Sequence, residues 1–480
     1  MEYQNPILRG SHPDPSICKV NDVYYLVNSS FEFLPGLPVY QSKDLVNWDL
    51  ISHGIDESNV DAYPYSNLKN SLGIFAPTIR YHKGCFYIIC TFVPKGTFII
   101  KTTNPEQGWS KPLWLNINFM GIDPSLTFIG QDCYLQMTNG EGAIVQCKID
   151  LSTLEVLTEP KIISYGTGGR DPEGPHIYYK FDKYWLMIAE GGTREGHMET
   201  MQVSDNIYGP YHPVRNNTIL SNRDYKGELQ CVGHADLVEV NKNKFELVAL
   251  SVRQPKHVHR NLLGRETILL PVDWNKNGIW INTMNKEGKA TINLSQPISV
   301  EKQARNSNNI DKLDFISSFI LKNYELDSKN LIFKKNISEN IKNDFIGFRQ
   351  TEFDGKFTFS ISRENQSTEA GVIVYKDNKH LFKALYDSKK NAVTFVKQDS
   401  DLIIKKEVKL KAEGSEINFS LVFDNENYQV VVSNNKEKIL DSCQTRHFSC
   451  EESDSPFTGV VIGLIRNKNV KCKFNNLSLK

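Results

Sequence analysis

One pattern of polar and apolar positions occurs five times in the first half of the chain. Each copy opens with a four-residue phrase similar to Asp-Pro-Ser-Ile, and an aromatic residue follows ten positions after the second residue of the phrase. We interpret each copy as a strand, a turn and a second strand, which together form the front half of a four-stranded antiparallel blade. Five such blades predict a five-bladed β-propeller. The phrases begin at Asp14, Ala76, Asp123, Gly174 and His234, and their second residues are 62, 47, 51 and 60 positions apart.

A propeller brings residues of equal register to one mouth of its central channel, because the first strand of each blade lines that channel. Asp14, Asp123 and His234 hold the first position of their phrases, and Glu173 stands directly before the phrase of the fourth blade. We therefore expect three carboxylates and one imidazole to meet at this mouth. Asp-Pro-Ser is also a common turn signal, so the interpretation depends on the shared register and not on any single aspartate.

A different pattern covers the C-terminal part of the chain. Residues 294–311 are polar and rich in Asn and Ser, and we interpret them as a linker. Beyond them, apolar and polar residues alternate, as at 357–361 and 428–432, between turns of Asn, Asp and Gly. Short alternating strands of this kind predict a β-sandwich. The sequence thus predicts an all-β protein with a propeller at 1–293 and, at 312–480, a sandwich that completes or roofs the mouth of its channel.

Composition narrows the class of ligand and the compartment. The 480 residues include 56 basic and 56 acidic side chains, which argues against nucleic acid or an anionic membrane as a partner and favours a small neutral substrate. The nine cysteines are scattered without a CxxC pair, which is typical of a reducing compartment. The N-terminal residues show no signal-peptide pattern, and no long apolar run occurs, so we expect a cytoplasmic protein. The sequence leaves a homo-oligomer open.

The predicted carboxylate cluster has the composition that acetal hydrolysis requires. One carboxylate must be ionised to act as a base or nucleophile, while another must stay protonated to act as an acid. Asp14, Asp123 and Glu173 meet this requirement, because neighbouring like charges push the pKa values of such groups apart.

Five motifs in this order resemble glycoside hydrolase family 43, in its β-xylosidase and α-L-arabinofuranosidase branch. The resemblance covers the whole predicted propeller, and weaker motifs at 345–350, 369–372 and 457–459 extend it to the sandwich. The five propeller motifs are His-Pro-Asp-Pro-Ser at 12–16, Gly-Ile-Phe-Ala-Pro-Thr at 73–78, Gly-Ile-Asp-Pro-Ser-Leu at 121–126, Pro-Glu-Gly-Pro-His at 172–176 and Gly-His-Ala-Asp-Leu at 233–237.

The resemblance implies a role for each member of the cluster in an inverting mechanism. Asp14 would be the general base that activates water, and Glu173 would be the general acid that protonates the leaving oxygen. Asp123 would raise the pKa of the acid and orient it. His234 would lie on the channel axis below the sugar, and Arg265 would reach the substrate and the catalytic carboxylates.

Three aromatic residues are candidate walls of the sugar pocket. Phe31 follows the first inner hairpin near the predicted mouth, and we expect it to face the substrate. Phe75 stands where the branch usually has Trp, which would reshape one wall. Phe457 could reach the rim of the pocket from the sandwich or belong to the sandwich core, and the sequence leaves both open.

No cofactor is expected to be required, although the resemblance leaves open a calcium ion on the propeller axis near His234. His257 and His259 form a pair without a third ligand nearby in the sequence, and we expect no metal site there.

Other functions stay open at this stage. The phrase Arg-Asp-Pro at 170–172 also occurs in retaining fructosidases with five blades, but their opening Asn-Asp-Pro-Asn-Gly motif is absent. A propeller and sandwich that only bind carbohydrate would form another class, which the loss of one member of the acid and base pair would favour; both members are present. We expect an exo-acting β-xylosidase that releases terminal β-D-xylose from xylo-oligosaccharides. Xylosyl and arabinofuranosyl preference cannot be separated, because both sugars are pentoses.

Overall fold

The computed structural model is an all-β protein in which the chain forms two compact units. The first unit contains residues 1–32, 36–254 and 265–303, and the second contains residues 33–35, 255–264 and 304–480. The predicted linker at 294–311 and the pair His257 and His259 lie outside the described residues. The structure describes residues 2–66, 68–117, 119, 121–223, 227–255, 260–281, 289–291, 314–317, 324–327, 329–334, 344–363, 369–411, 414–435, 437–466 and 471–480.

The first unit is a five-bladed β-propeller, as predicted. Blade one has strands β2 (Ser16–Val20), β3 (Val23–Val27), β4 (Gly36–Ser42) and β5 (Asp49–Ile55). Blade two has β6 (Gly73–Ile74) and β7 (Thr78–His82), which both pair with β8 (Cys85–Val93), followed by β9 (Gly96–Thr102) and β10 (Leu113–Trp114). Blade three has β11 (Ile122–Ile129), β12 (Asp132–Thr138), β13 (Ile144–Ile149) and β14 (Lys161–Ser164).

Blades four and five complete the ring. Blade four has β15 (Glu173–Lys180), β16 (Lys183–Glu190), β17 (Met198–Ser204) and β18 (His212–Pro213), and blade five has β19 (Leu229–Asn241), β20 (Lys244–Arg253), β21 (Arg265–Asn275) and β22 (Gly278–Ile281). The first strands contact one another in a closed circle, in the order β2, β7, β11, β15, β19 and back to β2. They are therefore the innermost strands, as the repeated phrase predicts.

The N-terminal segment lies against the last blade. Strand β1 (Glu2–Gln4) pairs with β23 (Lys289–Thr291), and the Asn5 side chain exchanges hydrogen bonds with the backbone of Leu269 in β21. The buried Tyr3 hydroxyl also donates to the Leu269 carbonyl, at 2.6 Å. These bonds join the start of the chain to blade five and help to close the ring.

The second unit is a β-sandwich of two seven-stranded antiparallel sheets, which confirms the predicted class. Apolar residues of both sheets form its core, including Phe359 and Phe419, whose rings stack at 4.8 Å. One sheet has the order β24 (Phe315–Ile316), β27 (Asp344–Arg349), β36 (Val461–Arg466), β29 (Glu369–Asp377), β30 (His380–Asp387), β31 (Ala392–Asp399) and β32 (Leu402–Lys409). The other has the order β25 (Tyr324–Asp327), β26 (Asn330–Phe333), β37 (Cys472–Leu479), β28 (Gly355–Ser362), β33 (Glu416–Phe423), β34 (Asn427–Ser433) and β35 (Lys438–Gln444).

Helix is rare in the described ranges and consists of short 3-10 turns at Val60–Ala62, Pro105–Gln107 and Thr445–Phe448. In that part of the chain, no helix has the length and apolar character needed to span a bilayer.

Candidate active site

Four of the five repeated phrases begin with the same backbone distortion at the mouth of the channel. Asp14, Asp123, Gly174 and His234 have φ values of 53°, 54°, 58° and 49°, in the left-handed region. The pairing of β11 with β12, β15 with β16 and β19 with β20 shifts register at these positions, which marks a β-bulge in each blade. Non-glycine residues adopt such a conformation at a cost of about 1–3 kcal/mol each, and bulges next to functional sites re-aim side chains. The repeated distortion therefore supports a functional mouth.

Asp14 is buried and held by donors on both carboxylate oxygens. The Ser29 hydroxyl donates to Oδ2 at 2.7 Å, and Arg265 Nη1 donates to Oδ1 at 2.8 Å. Burial alone would raise the pKa of Asp14, but Arg265, His234 and the bond from Ser29 outweigh burial and hold this pKa below its ordinary value. Asp14 is thus an ionised carboxylate at neutral pH.

Arg265 connects the base candidate to the predicted aromatic walls. It opens β21, is buried, and also donates from Nη1 to the Thr193 hydroxyl at 3.2 Å. Its guanidinium lies over the Phe31 ring, 5.6 Å from the centroid. Phe31 in turn packs edge to face against Phe75, with 5.3 Å between ring centroids. The structure therefore brings Asp14, Arg265, Phe31 and Phe75 together in one chain of contacts.

Glu173 has the opposite electrostatic character. It is the first residue of β15, and 23% of its side chain is exposed. Burial of its carboxyl group, followed by the charge of Asp14, raises the pKa of Glu173 to about 7, against the lowering effect of Arg265. Glu173 therefore holds its proton in much of the enzyme population near neutral pH and can donate it.

Asp123 is coupled to Glu173. It is buried, and its Oδ2 accepts a hydrogen bond from the Gly174 backbone N–H at 3.2 Å. Burial and then the Glu173 charge raise the pKa of Asp123 well above its ordinary value, and Asp14 adds to this effect. The two carboxyls repel each other when both are charged, so the pair retains a proton near neutral pH.

His234 lies beside Asp14, with 3.9 Å between Nδ1 and Oδ1, and its ring covers Gly174. A Cβ atom at Gly174 would stand 3.2 Å from this ring, and the backbone there has a positive φ, so glycine suits both demands. Burial lowers the pKa of His234 despite the Asp14 charge, which keeps the imidazole neutral at pH 7.

The residues beside His234 that the structure describes offer few free oxygen ligands for a calcium ion. In the described ranges, no group of three or more His, Cys, Asp or Glu side chains is arranged to hold a metal. The neighbouring Asp14 oxygens already accept from Arg265 and Ser29. Calcium takes six to eight oxygen ligands, so an ion there would depend on water. Calcium near His234 stays a prediction, and no chemical step is assigned to it.

Two further expectations concern residues elsewhere. Arg170 and Asp171, the phrase shared with fructosidases, form a solvent-exposed pair at 2.6 Å, with 79% of the Arg170 side chain exposed. Phe457 belongs to the second unit and is half-buried, and its proposed place at the pocket rim stays a prediction.

The sequence analysis did not single out a buried network that crosses the channel. Asp236 is fully buried and pairs with Arg80 at 2.7 Å, and it also accepts from the hydroxyls of Ser16 and Tyr178, each at 2.7 Å. Arg80 Nη2 also contacts His176 Nδ1 at 2.9 Å. The network joins blades one, two, four and five. Its members are polar residues on inner strands, in or near the repeated phrases. Polar residues at these positions were the sequence feature that could have indicated the network.

The propeller mouth holds one ionised carboxylate and one carboxyl that keeps its proton. These are the base and the acid that a glycosidase needs. Comparison with known families agrees: the model of "Glycosyl hydrolases family 43" matches residues 3–280, and that of "Beta xylosidase C-terminal Concanavalin A-like domain" matches residues 330–476. The chain belongs to glycoside hydrolase family 43.

Several relatives are similar to the chain over nearly all of its length. The chain is 33% identical to the non-reducing end alpha-L-arabinofuranosidase BoGH43B of Bacteroides ovatus, over 98% of this chain and 93% of that protein. It is 30% identical to a xylosidase/arabinosidase of Butyrivibrio fibrisolvens, over 98% and 97% of the two chains. Among solved structures, the GH43B protein of the Bacteroides ovatus xyloglucan PUL has a TM-score of 0.86 at 31% identity, with 100% of both chains covered.

Proposed function

We propose that this glycosidase is an inverting, exo-acting enzyme that releases terminal β-D-xylose from xylo-oligosaccharides, with α-L-arabinofuranosidase side activity. The observation that carries the proposal is the opposite pKa shift of Asp14 and Glu173, within one site. Relatives named xylosidases support the choice of sugar, including the beta-xylosidase of Bacillus subtilis, 33% identical over 57% of this chain.

Asp14 acts as the general base in this proposal. Its Oδ2 accepts from Ser29 and from Arg265 Nη2, whereas Oδ1 has a second lone pair besides the one that accepts from Arg265 Nη1, and this lone pair can take a proton from water. The water attacks the anomeric carbon from the face opposite the leaving group. Arg265 keeps Asp14 ionised, so the base is available over a wide pH range.

Glu173 acts as the general acid and gives its proton to the glycosidic oxygen as the bond to the anomeric carbon breaks. Asp123 repels the charge that develops on Glu173 and so maintains its affinity for a proton. Phe31 and Phe75 supply apolar walls for the sugar ring, and His234 lies below it as a neutral hydrogen-bonding group.

The stereochemical outcome tests the proposal. An inverting site needs room for a water between its two carboxyls, which are then about 6.5–9.5 Å apart, whereas a retaining site has them about 5–5.5 Å apart. Proton NMR of the first product from a β-linked xyloside should show α-xylose. Early appearance of the β-anomer would contradict inversion, and release of long oligomers from xylan without xylose would contradict exo action.

A second candidate is an enzyme whose main activity is on α-L-arabinofuranosides. The similarity over nearly the whole chain to BoGH43B, a named arabinofuranosidase, favours it. Comparing kcat/KM for nitrophenyl β-D-xylopyranoside, nitrophenyl α-L-arabinofuranoside and xylobiose decides between the two. A chain that only binds carbohydrate would release no sugar from any of them.

We also propose a cytoplasmic location. The nine cysteines are all free, and seven of them are buried, which is compatible with a reducing compartment. Cell fractionation with an activity assay tests this, and recovery of the activity outside the cytoplasm would overturn it.

A further inference from the structure

His197 is a buried imidazole beside Glu173 that the mechanism above does not use. It stands directly before β17, and its Nε2 lies 4.0 Å from Glu173 Oε1. Nε2 is buried and has no hydrogen-bond partner in the described structure. A buried polar atom without a partner costs about 1–3 kcal/mol, so its retention beside the acid calls for a reason.

The orientation and tautomer of His197 are fixed by the backbone around it. Its Nδ1 lies 3.0 Å from the Cys231 carbonyl oxygen, which can only accept, so Nδ1 carries the proton. The ring packs on Gly233, where a Cβ atom would stand 2.7 Å from ring atoms, so only glycine leaves space for it. Nε2 is therefore a bare acceptor held in place.

This acceptor stays neutral through the working pH range. Burial lowers the pKa of His197 to about 3, although the bond to Cys231 opposes this shift, and the charges of His234 and Arg265 add to the lowering. A neutral acceptor can bind the protonated form of Glu173 but has nothing to offer the carboxylate, whose lone pairs would face its own.

We propose that His197 is a positioning residue for Glu173: its Nε2 accepts a hydrogen bond from the protonated Glu173 carboxyl and holds the acid ready for transfer. This inference rests on the proposed function of Glu173. The inference requires the Glu173 side chain, which is 23% exposed, to move so that the gap of 4.0 Å shortens to an ordinary hydrogen bond of about 2.8 Å. The bond favours the protonated form of Glu173. It therefore helps Glu173 to retain its proton until the leaving group departs.

Other groups also act on Glu173 and must be held constant in a test. Glu199 adds to the groups already described. It is fully buried, its Oε2 accepts from the Ala235 N–H at 3.2 Å, and burial raises its pKa well above the ordinary value. The titratable and charged groups facing Glu173 or His197 are Asp14, Asp123, Asp171, Glu199, His234 and Arg265.

The test compares His197→Phe, which keeps a ring on Gly233 but removes the acceptor, with His197→Gln, which supplies an amide oxygen. We expect His197→Phe to move the basic limb of the kcat/KM profile about one pH unit towards acid, the scale of one hydrogen bond to a neutral carboxyl. The Gln variant should recover part of that shift. Xylobiose hydrolysis should fall more than nitrophenyl xyloside hydrolysis in His197→Phe. An unchanged basic limb and substrate ratio would overturn the inference.

A second measurement does not depend on the folding of any His197 variant. In wild-type enzyme labelled with 15N-histidine, the unprotonated Nε2 resonance of His197 should shift as Glu173 titrates, and the shift should be absent in Glu173→Gln. A resonance that is independent of pH in wild type would overturn the inference. Glu173→Ala, assayed alongside, separates the two hypotheses: if it spares no substrate with a good leaving group, the proposed role of Glu173 fails, whatever His197 does.

Discussion

The Arg265 guanidinium donates to both carboxylate oxygens of Asp14, with Nη1 2.8 Å from Oδ1 and Nη2 3.3 Å from Oδ2. Both side chains are buried, so the attraction between them is little screened by solvent. The contact also fixes the direction of the carboxylate, because the planar guanidinium matches it in two places. The largest contribution that lowers the pKa of the base candidate therefore comes from a residue 251 positions away in the chain.

Replacing Arg265 should damage the acidic side of the pH profile. The contact lowers the pKa of Asp14, so Asp14 is ionised, and active as a base, down to low pH. Arg265→Met removes the charge, and the pKa of Asp14 should rise by about 1–3 units. The acidic limb of kcat/KM should move towards neutral pH by that amount.

The matched controls for this prediction are Arg265→Lys and Arg170→Met. Lysine keeps a positive charge without the two-point contact, so a smaller shift is expected. Arg170 is an exposed arginine of the same unit, and its replacement should leave the acidic limb in place. An acidic limb that is the same in Arg265→Met and wild type would show that Asp14 is not the titrating base.

Glu173 and Asp14 should respond differently to the quality of the leaving group. Nitrophenolate leaves with little protonation, so Glu173→Ala should lose less activity on nitrophenyl xyloside than on xylobiose. Asp14→Ala removes water activation for every substrate and should lower both activities alike, by roughly 10²–10⁴-fold. Steady-state kinetics on the two substrates provide the comparison. Equal activity ratios in the two variants would mean that acid and base are wrongly assigned.

Asp123 should control the basic side of the pH profile. Repulsion within the pair of Asp123 and Glu173 favours retention of a proton. Asp123→Ala removes that repulsion, so the last proton of the site should be lost at a lower pH than from the wild-type pair. The basic limb of kcat/KM should move towards acid, and kcat should drop because the Gly174 N–H loses its acceptor. A basic limb that stays in place or moves towards alkaline pH would contradict the coupling.

The sequence predicted those parts of the site that the blade repeat encodes. Asp14, Asp123 and His234 could be found because they share a register, and the structure gives all of them a left-handed backbone. Ser29 and His197 were missed because neither belongs to a repeated phrase, and each meets its carboxylate through a side-chain contact within one blade, Ser29 in blade one and His197 in blade four. The repeat predicts which strands are innermost, but not which side chains meet across the channel.

The division of the chain shows the same limit. Alternation of apolar and polar residues was enough to predict the sandwich, because each strand carries its own signal. Residues 33–35 and 255–264, which are grouped with the second unit, have no such signal in the sequence. Leu34 exchanges backbone hydrogen bonds with Ser317, and Leu262 accepts one from Val460. These pairings depend on backbone groups, which all residue types except proline offer alike.

The buried pair of Asp236 and Arg80 should matter more for stability than for chemistry. Asp236→Asn leaves the Arg80 guanidinium buried without its carboxylate, which costs about 3–5 kcal/mol of unfolding free energy for a pair of this kind. Burial opposes ionisation of Asp236, but Arg80 and its other donors lower its pKa well below the ordinary value. The stabilisation from this shift is therefore present at neutral pH and is lost as the pH falls below the unfolded-state value of about 4.

Urea unfolding followed by fluorescence between pH 3 and pH 7 measures this contribution. Wild type should be more stable than Asp236→Asn at pH 7, and the difference should shrink at the acidic end, because protonation removes the advantage of the carboxylate. Asp205→Asn is the matched control, since Asp205 makes an exposed pair with Lys183 at 2.7 Å, and it should change stability by less than about 1 kcal/mol. If Asp236→Asn and Asp205→Asn were equally stable at pH 7, the network across the channel would not hold the blades together, and the fixed geometry of the mouth would need another cause.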